Sequence, residues 1–241
     1  MSRFFRERFP KGYKIYQGLY GEVRYELLSL GPLARWISRK RLQQLELTCH
    51  KPFEVVKQYK GMGLYHTIWA VQVESEINEL FDIVKKANPS VICEVGTDRG
   101  GTLYLWSKVV EPDGLIISID LPRTYRKSLN RFFRSTFFEK KDIHFVRENS
   151  QSLECRERVR RILDGRPIDF LFIDADHSYE GAKKDFELYA PFVRASGIIA
   201  FHDILDNGVD RLWGEIRSDF RHQEIVEDYK QQSTGIGLVY Y

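Results

Sequence analysis

Residues 90–110 read SVICEVGTDRGGTLYLWSKVV, and the order of their apolar, glycine-rich and amphipathic segments sets the architecture of the chain. Residues 90–96 are apolar and rich in β-branched side chains up to a closing glycine, which predicts a buried strand. Residues 102–110 predict a helix. Gly96 and Gly100 lie between the two and allow a turn whose backbone passes close to a ligand before the helix begins.

The same alternation continues to the end of the chain. Apolar runs predict strands at 115–121, 143–147, 168–174 and 197–202, and amphipathic stretches predict helices at 125–138, 153–163, 179–193 and 209–220. The strands are apolar throughout rather than at alternate residues, which is typical of a parallel sheet covered by helices on both faces. No helix separates 224–229 from 235–241, so this last pair should form a hairpin. The sequence therefore predicts an α/β fold with a doubly wound, Rossmann-like, mostly parallel seven-stranded sheet whose last strand is antiparallel.

The N-terminal part differs from the rest in pattern and in charge. Helix-like stretches at 20–38 and 72–86 flank glycine-containing breaks, so we expect a basic helical N-terminal extension or lid over 1–69 and a core domain over 70–241. Residues 1–60 carry a net charge of +8, and residues 61–241 a net charge of −5. The basic part is interpreted either as a solvated helical face or as a contact for an anionic partner, including a peripheral contact with a membrane.

Composition bears on the compartment and on the partners. No apolar run reaches roughly 18 residues, which predicts no membrane span, and residues 1–10 lack the apolar segment of a secretory signal. The three cysteines are scattered along the chain, which suggests a reducing compartment and a cytoplasmic protein. The basic, aromatic stretch 123–134 is weak evidence for nucleic acid, so we do not expect that partner. A homo-oligomer stays open.

Ligands of such a sheet bind outside the carboxyl ends of its strands. Asp120 closes the second predicted strand, 24 residues after Gly96. A carboxylate at that place accepts hydrogen bonds from both hydroxyls of a ribose. The pair predicts a nucleoside site, and the alternative is a tight strand–helix turn with a capping acid.

Here the motifs resemble a known family. E-V-G-T-x-x-G-G-T at 94–102, followed by Asp120, resembles the cofactor motif of class I S-adenosylmethionine-dependent methyltransferases, closest to the catechol and caffeoyl-CoA O-methyltransferase type. F-I-D-A-D-H-S-Y-E-G at 172–181 and I-I-A-F-H-D at 198–203 resemble the cephalosporin-hydroxylase-like and sugar O-methyltransferase group. The similarity covers about 72–241 and implies that 70–241 binds S-adenosylmethionine. The implied binding residues are Glu94, Gly96, Thr97, Gly100, Gly101, Thr102, Asp120, Asn149 and Asp174. Asn149 departs from the family, which usually has an acidic residue there.

A dinucleotide-dependent dehydrogenase is the rival for this nucleoside site. Its fingerprint needs a glycine at the middle of the turn and places a pyrophosphate on the helix N-terminus. Asp98 occupies the middle position, and Glu94 adds a second acid. Both negative charges disfavour a pyrophosphate and suit the ammonium and sulfonium groups of S-adenosylmethionine.

A second group of polar residues follows strands four and five. Asp174 ends the one, and His202 and Asp203 end the other, so that neighbouring strand ends bring them about 5 Å apart. We expect these three to hold a divalent cation, Mg²⁺ if the carboxylates dominate and Mn²⁺, Fe²⁺ or Zn²⁺ if His202 ligates. By resemblance Asp174 matches the metal-binding Asp of the catechol-type enzymes, whereas His202 departs from them. Two alternatives remain: Asp174 and Asp203 bind without His202, or the acids merely cap helices.

His177 is the predicted general base. It follows Asp174 by three residues, where the catechol-type enzymes have a catalytic Lys, and a histidine titrates near neutrality without tuning. Its alternative is a polar loop histidine. With Asp174 as the second catalytic residue, the resemblance implies a metal-assisted O-methyltransferase for a small-molecule or carbohydrate hydroxyl. A metal-dependent hydroxylase on the same scaffold and a non-catalytic nucleoside-binding module are the alternatives.

Overall fold

The computed structural model describes residues 32–60, 68–121, 142–206, 208–232 and 234–241. Its strands are β1 (Val91–Val95), β2 (Leu115–Asp120), β3 (Asp142–Arg147), β4 (Ile168–Ile173), β5 (Val193–His202), β6 (Arg221–Ile225) and β7 (Ile236–Tyr240). They form one seven-stranded sheet in the order β3-β2-β1-β4-β5-β7-β6. Only β7 runs antiparallel to its neighbours, β5 and β6. The predicted fold class is therefore confirmed, including the closing hairpin.

Helices cover both faces of this sheet. They are α1 (Pro32–Thr48), α2 (Pro52–Gln58), α3 (Glu74–Ala87), α4 (Gly101–Val109), α5 (Leu153–Leu163), α6 (Tyr179–Tyr189) and α7 (Val209–Ile216). A 3-10 turn, Ala190–Phe192, follows α6. Helices α1 to α4 share one apolar cluster with alternate residues of the strands, and α5 to α7 share the other. Because both faces are covered, all five residues of β1 are buried.

The first of these clusters includes side chains from the N-terminal helices. Leu42 of α1 and Phe53 and Val56 of α2 are buried in it with Leu80 of α3 and Trp106 of α4. Whether residue 70 is a domain boundary stays a prediction. The expected helix at 125–138 and most of the expected lid lie outside the described residues. Among the described residues, no helix is both long and apolar enough to cross a membrane.

Several predicted element ends differ from the structure. Strand β5 begins at Val193, four residues before the predicted start, because Arg194 and Ser196 interrupt the apolar pattern where the pairing with β4 is irregular. Helix α6 ends at Tyr189 rather than at 193, since Pro191 in the following 3-10 turn cannot donate a backbone hydrogen bond. Strand β6 begins three residues before the prediction, because this edge strand is polar and lacks the apolar pattern of a central one.

Candidate active site

A cleft of about 780 Å³ opens at the carboxyl ends of the parallel strands. Its walls come from the turns after β1 to β5 and from the segment 69–72 before α3. Nine of the predicted site residues line it: Gly96, Thr97, Thr102, Asp120, Asn149, Asp174, His177, His202 and Asp203. The parallel sheet thus brings the two predicted groups, nucleoside-binding and catalytic, to one cleft.

The turn after β1 needs glycine at its first position. Gly96 has a φ of +95°, and a Cβ there would overlap the Asp174 carbonyl and stand 2.8 Å from the Ala175 Cα. Its N–H donates to the Ile119 carbonyl at 2.9 Å. Gly96 therefore lets the turns after β1, β2 and β4 approach one another, which shapes the floor of the cleft.

The nucleoside side of the cleft is built around Asp120. One carboxylate oxygen accepts from the Leu121 N–H at 2.7 Å, and the other lies 4.0 Å from Nη1 of Arg147. Asp120 and Arg147 are register partners at the ends of adjacent strands. Arg147 was not among the predicted site residues, although it ends a predicted strand, where ligands of such a sheet bind. Nearby, the hydroxyls of Thr97 and Ser118 are hydrogen-bonded at 2.6 Å.

The loop after β3 supplies the next wall. The Asn149 side chain accepts from the Gln151 N–H at 3.1 Å, and Gln151 donates to Asp176 at 3.0 Å. Asp176 also accepts from the Ser178 N–H at 3.0 Å, and it is not the cap of α6. Ser178 is the cap, since its hydroxyl accepts from the Gly181 N–H.

Three of the predicted binding residues do not line the cleft. Glu94 is fully buried behind the turn, where it accepts from the Trp106 indole N–H at 2.9 Å. Gly100 begins α4 with a φ of +73°. Gly101 faces the protein's own backbone, because its N–H donates to the Trp69 carbonyl at 3.0 Å and a Cβ would overlap that carbonyl. The structure explains these residues by the fold, and their contact with a cofactor stays a prediction.

Burial also perturbs the Glu94 carboxyl. Its desolvation raises the pKa to about 7, against the opposing effect of the hydrogen-bond donors Thr102, Thr97 and Trp106. The Glu94 carboxyl thus lies behind the turn that faces the cleft, and its burial disfavours the ionised form.

The catalytic side of the cleft is a cluster of two carboxylates and two imidazoles. His177 Nδ1 makes a short hydrogen bond with Asp203 Oδ2, and its Nε2 lies 3.8 Å from Asp174 Oδ1. His202 Nδ1 lies 3.0 Å from Asp203 Oδ1 and 3.3 Å from Asp174 Oδ1. Gln72 donates to the other oxygen of Asp174 at 2.7 Å. His177 is half-exposed to the cleft, whereas His202 and Asp203 are buried.

These contacts shift the titration of three groups. For His177, the hydrogen bond to Asp203 raises the pKa above its ordinary value, against partial burial. For His202, burial lowers the pKa, but the charges of Asp174 and Asp203 outweigh it and raise it to about 10. For Asp203, burial raises the pKa, but the two histidines hold it well below its usual range. The two carboxylates therefore favour the protonated form of His202.

A search of the described residues finds no group of three or more His, Cys, Asp or Glu side chains arranged to hold a metal ion. Within the cluster, however, His202 Nδ1 and Asp203 Oδ1 are buried and make no hydrogen bond of good geometry. Both atoms belong to the predicted ligand set. The three cysteines are free and lie outside the cleft.

The fold and this cleft are those expected for the class I S-adenosylmethionine-dependent methyltransferases, and comparisons with known proteins bear on that expectation. Residues 93–204 match the family described as "Methyltransferase domain". The predicted resemblance to this class is thereby confirmed over the segment that runs from β1 to the end of the catalytic cluster.

Two curated relatives are O-methyltransferases by name. A probable caffeoyl-CoA O-methyltransferase 3 of Dictyostelium discoideum is 29% identical over 133 residues, which are 53% of this chain and 49% of that protein. A rhamnosyl O-methyltransferase of Mycobacterium tuberculosis (strain H37Rv) is 22% identical over 171 residues, 70% of this chain and 66% of that protein. The chain thus spans about half the length of the first.

A solved structure shares the fold. The O-methyltransferase TomG from Streptomyces achromogenes, in complex with S-adenosylmethionine, has a TM-score of 0.55 at 16% identity, and the alignment covers 86% of this chain and 97% of that chain. The family match and the relatives support the prediction that the chain is a methyltransferase enzyme.

Proposed function

We propose that the chain is an S-adenosylmethionine-dependent O-methyltransferase that acts on a hydroxyl of a small molecule or sugar, assisted by a divalent cation. One observation carries the proposal: Asp120 and the Gly96 turn line the same cleft as the His177–Asp203 pair. A nucleoside donor and a proton acceptor therefore share one space.

The donor end supports S-adenosylmethionine, which supplies the methyl group. Asp120 would accept the ribose hydroxyls, and the Gly96 turn would let the ligand pass close to the backbone. Asp98 and Asp174 line the cleft and add negative charge near it. This charge favours a cationic ligand over a dinucleotide pyrophosphate.

On the catalytic side of the cleft, His177 and Asp203 would remove a proton from the acceptor. With Asp203 accepting from protonated His177 Nδ1, the other ring nitrogen, Nε2, would be the basic one. In the proposed reaction Nε2 takes the hydroxyl proton, the acceptor oxygen bonds to the methyl carbon, and the sulfur–methyl bond breaks. The products are a methyl ether, S-adenosylhomocysteine and protonated His177. Holding both reactants in one cleft contributes much of the rate gain.

Asp174, Asp203 and His202 would hold the cation. The supporting observation is the pair of buried atoms without good hydrogen bonds, His202 Nδ1 and Asp203 Oδ1, beside the Asp174 carboxylate. A divalent cation bound there would lower the pKa of the acceptor hydroxyl. Its binding must release the His202 proton, so the affinity should rise with pH.

The rim of the cleft supports an acceptor with an apolar face. Trp69, Val71 and Leu121 line the cleft and are exposed, at 54%, 76% and 49%. Aromatic and aliphatic side chains beside polar groups are typical of sites for small ligands that have both an apolar face and polar groups. Phenols and sugars both have this character.

The test is transfer of a labelled methyl group to a panel of catechols and methyl rhamnosides, with EDTA and with added Mn²⁺. We expect transfer by the wild type, strong loss in His177→Ala, and little change in His144→Ala, a matched control on β3 outside the cleft. Retained transfer in His177→Ala would refute the proposed base. Bound Mn²⁺ should be detectable by electron paramagnetic resonance in the wild type. A bound-Mn²⁺ signal that persists in Asp174→Ala would refute the proposed cation site.

A further inference from the structure

Helix α1 has an inner face that fixes it to the rest of the chain. Leu42 is buried in the apolar cluster, and Ser38 is fully buried on the same side. Glu46, the one acid in the helix sequence, accepts from the Tyr104 hydroxyl at 2.8 Å and pairs with Lys108. These contacts fix which side of α1 packs against the rest of the chain and which side faces away from it.

That opposite face carries large exposed apolar side chains among polar ones, Lys40, Gln43 and Gln44. Leu33, Trp36 and Leu47 are exposed at 66%, 58% and 88%. At 100° per residue the three project within about 60° of one another, on the side away from Leu42. From Leu33 to Leu47 the stripe is about 21 Å long. Leu33 and Trp36 are neighbours one turn apart, and Leu47 lies on the same side further along the helix, so the three are not randomly scattered surface hydrophobics.

Positive charge surrounds this stripe. Lys40 is exposed between Trp36 and Leu47 on the same face, and Arg39 and Arg41 flank it. The helix sequence contains four cationic residues against the single acid, Glu46, which already has partners. Residues 1–60 carry a net charge of +8. Exposed apolar side chains with Lys and Arg among and beside them are compatible with a helix that contacts an anionic membrane surface.

We propose that the outer face of α1 docks onto an anionic lipid surface, with Leu33, Trp36 and Leu47 inserted among the acyl chains and headgroups. A second copy of the chain fits this face less well, because a two-fold symmetric contact would place two strongly basic surfaces against each other. This inference does not depend on the proposed methyl transfer. It concerns where the chain works rather than what it catalyses.

The test is co-sedimentation of the full chain with vesicles of phosphatidylcholine alone and with about one third phosphatidylglycerol. We expect binding to the anionic vesicles that weakens as salt rises. The double variant Leu33→Ser/Trp36→Ser should lose at least about tenfold in affinity, because two large apolar side chains no longer enter the interface. Lys40→Glu should lose about fivefold or more.

Two variants with the same chemistry elsewhere are the controls. Leu153→Ser removes an exposed leucine on α5, and Lys184→Glu reverses an exposed charge on α6. Both should bind the vesicles like the wild type. Loss of binding in the controls, or equal binding by the α1 variants, would overturn the proposal. So would a wild-type dimer in sedimentation velocity that Leu33→Ser/Trp36→Ser dissolves, because the face would then belong to a second copy.

Discussion

Replacing Asp203 by Asn should lower the proton affinity of His177. The hydrogen bond between His177 Nδ1 and Asp203 Oδ2 is the first cause of the raised His177 pKa. A hydrogen bond to a charged group is worth about 1.5–3 kcal/mol. The His177 side chain is 44% exposed, so solvent screening reduces this to about 1 kcal/mol, or about fivefold in proton affinity. Asn tolerates the left-handed φ of +61° at this position, so the backbone should be preserved.

The assay is an imidazole NMR titration of wild type and Asp203→Asn, with EDTA in both samples and His177→Gln to assign the resonance. The resonance of His144, which pairs with Asp142 outside the cleft, is the internal control and should be unaffected by the substitution. If the proton affinity of His177 differs by less than twofold between the two proteins, Asp203 does not raise the pKa of the proposed base. Methyl transfer by Asp203→Asn should fall by about a hundredfold, the scale of general-base catalysis.

Three further predictions concern residues around the cleft. Gln72→Ala removes the amide that orients Asp174 and should lower labelled methyl transfer about tenfold at an unchanged melting temperature; unchanged transfer would show that the contact has no role. Asp185 is fully buried, and burial raises its pKa from 3.8 to about 7. The folded state therefore binds this proton more tightly than the unfolded state does. As a result, the folded state loses stability as the pH rises from 3.8 to about 7. Asp185→Asn should therefore melt several degrees above the wild type at pH 8 and show a smaller difference at pH 5; an equal difference at both pH values would contradict this. Gly96→Ala should unfold more easily and lose S-adenosylhomocysteine binding in calorimetry, because its Cβ overlaps the Asp174 carbonyl at a positive φ; normal binding would mean that the turn adapts.

Much of the fold was predictable because a parallel sheet leaves a strong pattern. A central strand such as β1, buried on both faces, must be apolar at every position, and the sequence shows this directly. Edge and irregular segments lack such a pattern. Strand β6 is polar because one edge faces solvent, and the start of β5 includes Ser196 at a φ of +65°. Both starts were predicted too late for this reason.

The candidate site divides in the same way. Asp120, Asp174 and Asp203 were predictable because strand ends of a parallel sheet meet at one edge. The contact between Gln72 and Asp174 joins residues 102 positions apart, and only the tertiary arrangement of the segment before α3 creates it. Gly101 was assigned to a ligand from its motif, but its close neighbour is the Trp69 carbonyl. A glycine pattern specifies a close approach and does not specify what approaches.

The central claim is that one cleft binds S-adenosylmethionine through Asp120 and the Gly96 turn. Isothermal calorimetry with S-adenosylhomocysteine tests it without knowledge of the acceptor. We predict one site per chain, at least about tenfold weaker binding in Asp120→Ala from the lost ribose hydrogen bonds, and no heat with NAD. The matched control Asp113→Ala, in the turn before β2 and away from the cleft, should bind normally. An absence of S-adenosylhomocysteine binding at millimolar concentration, or equal affinity in Asp120→Ala, would contradict the claim.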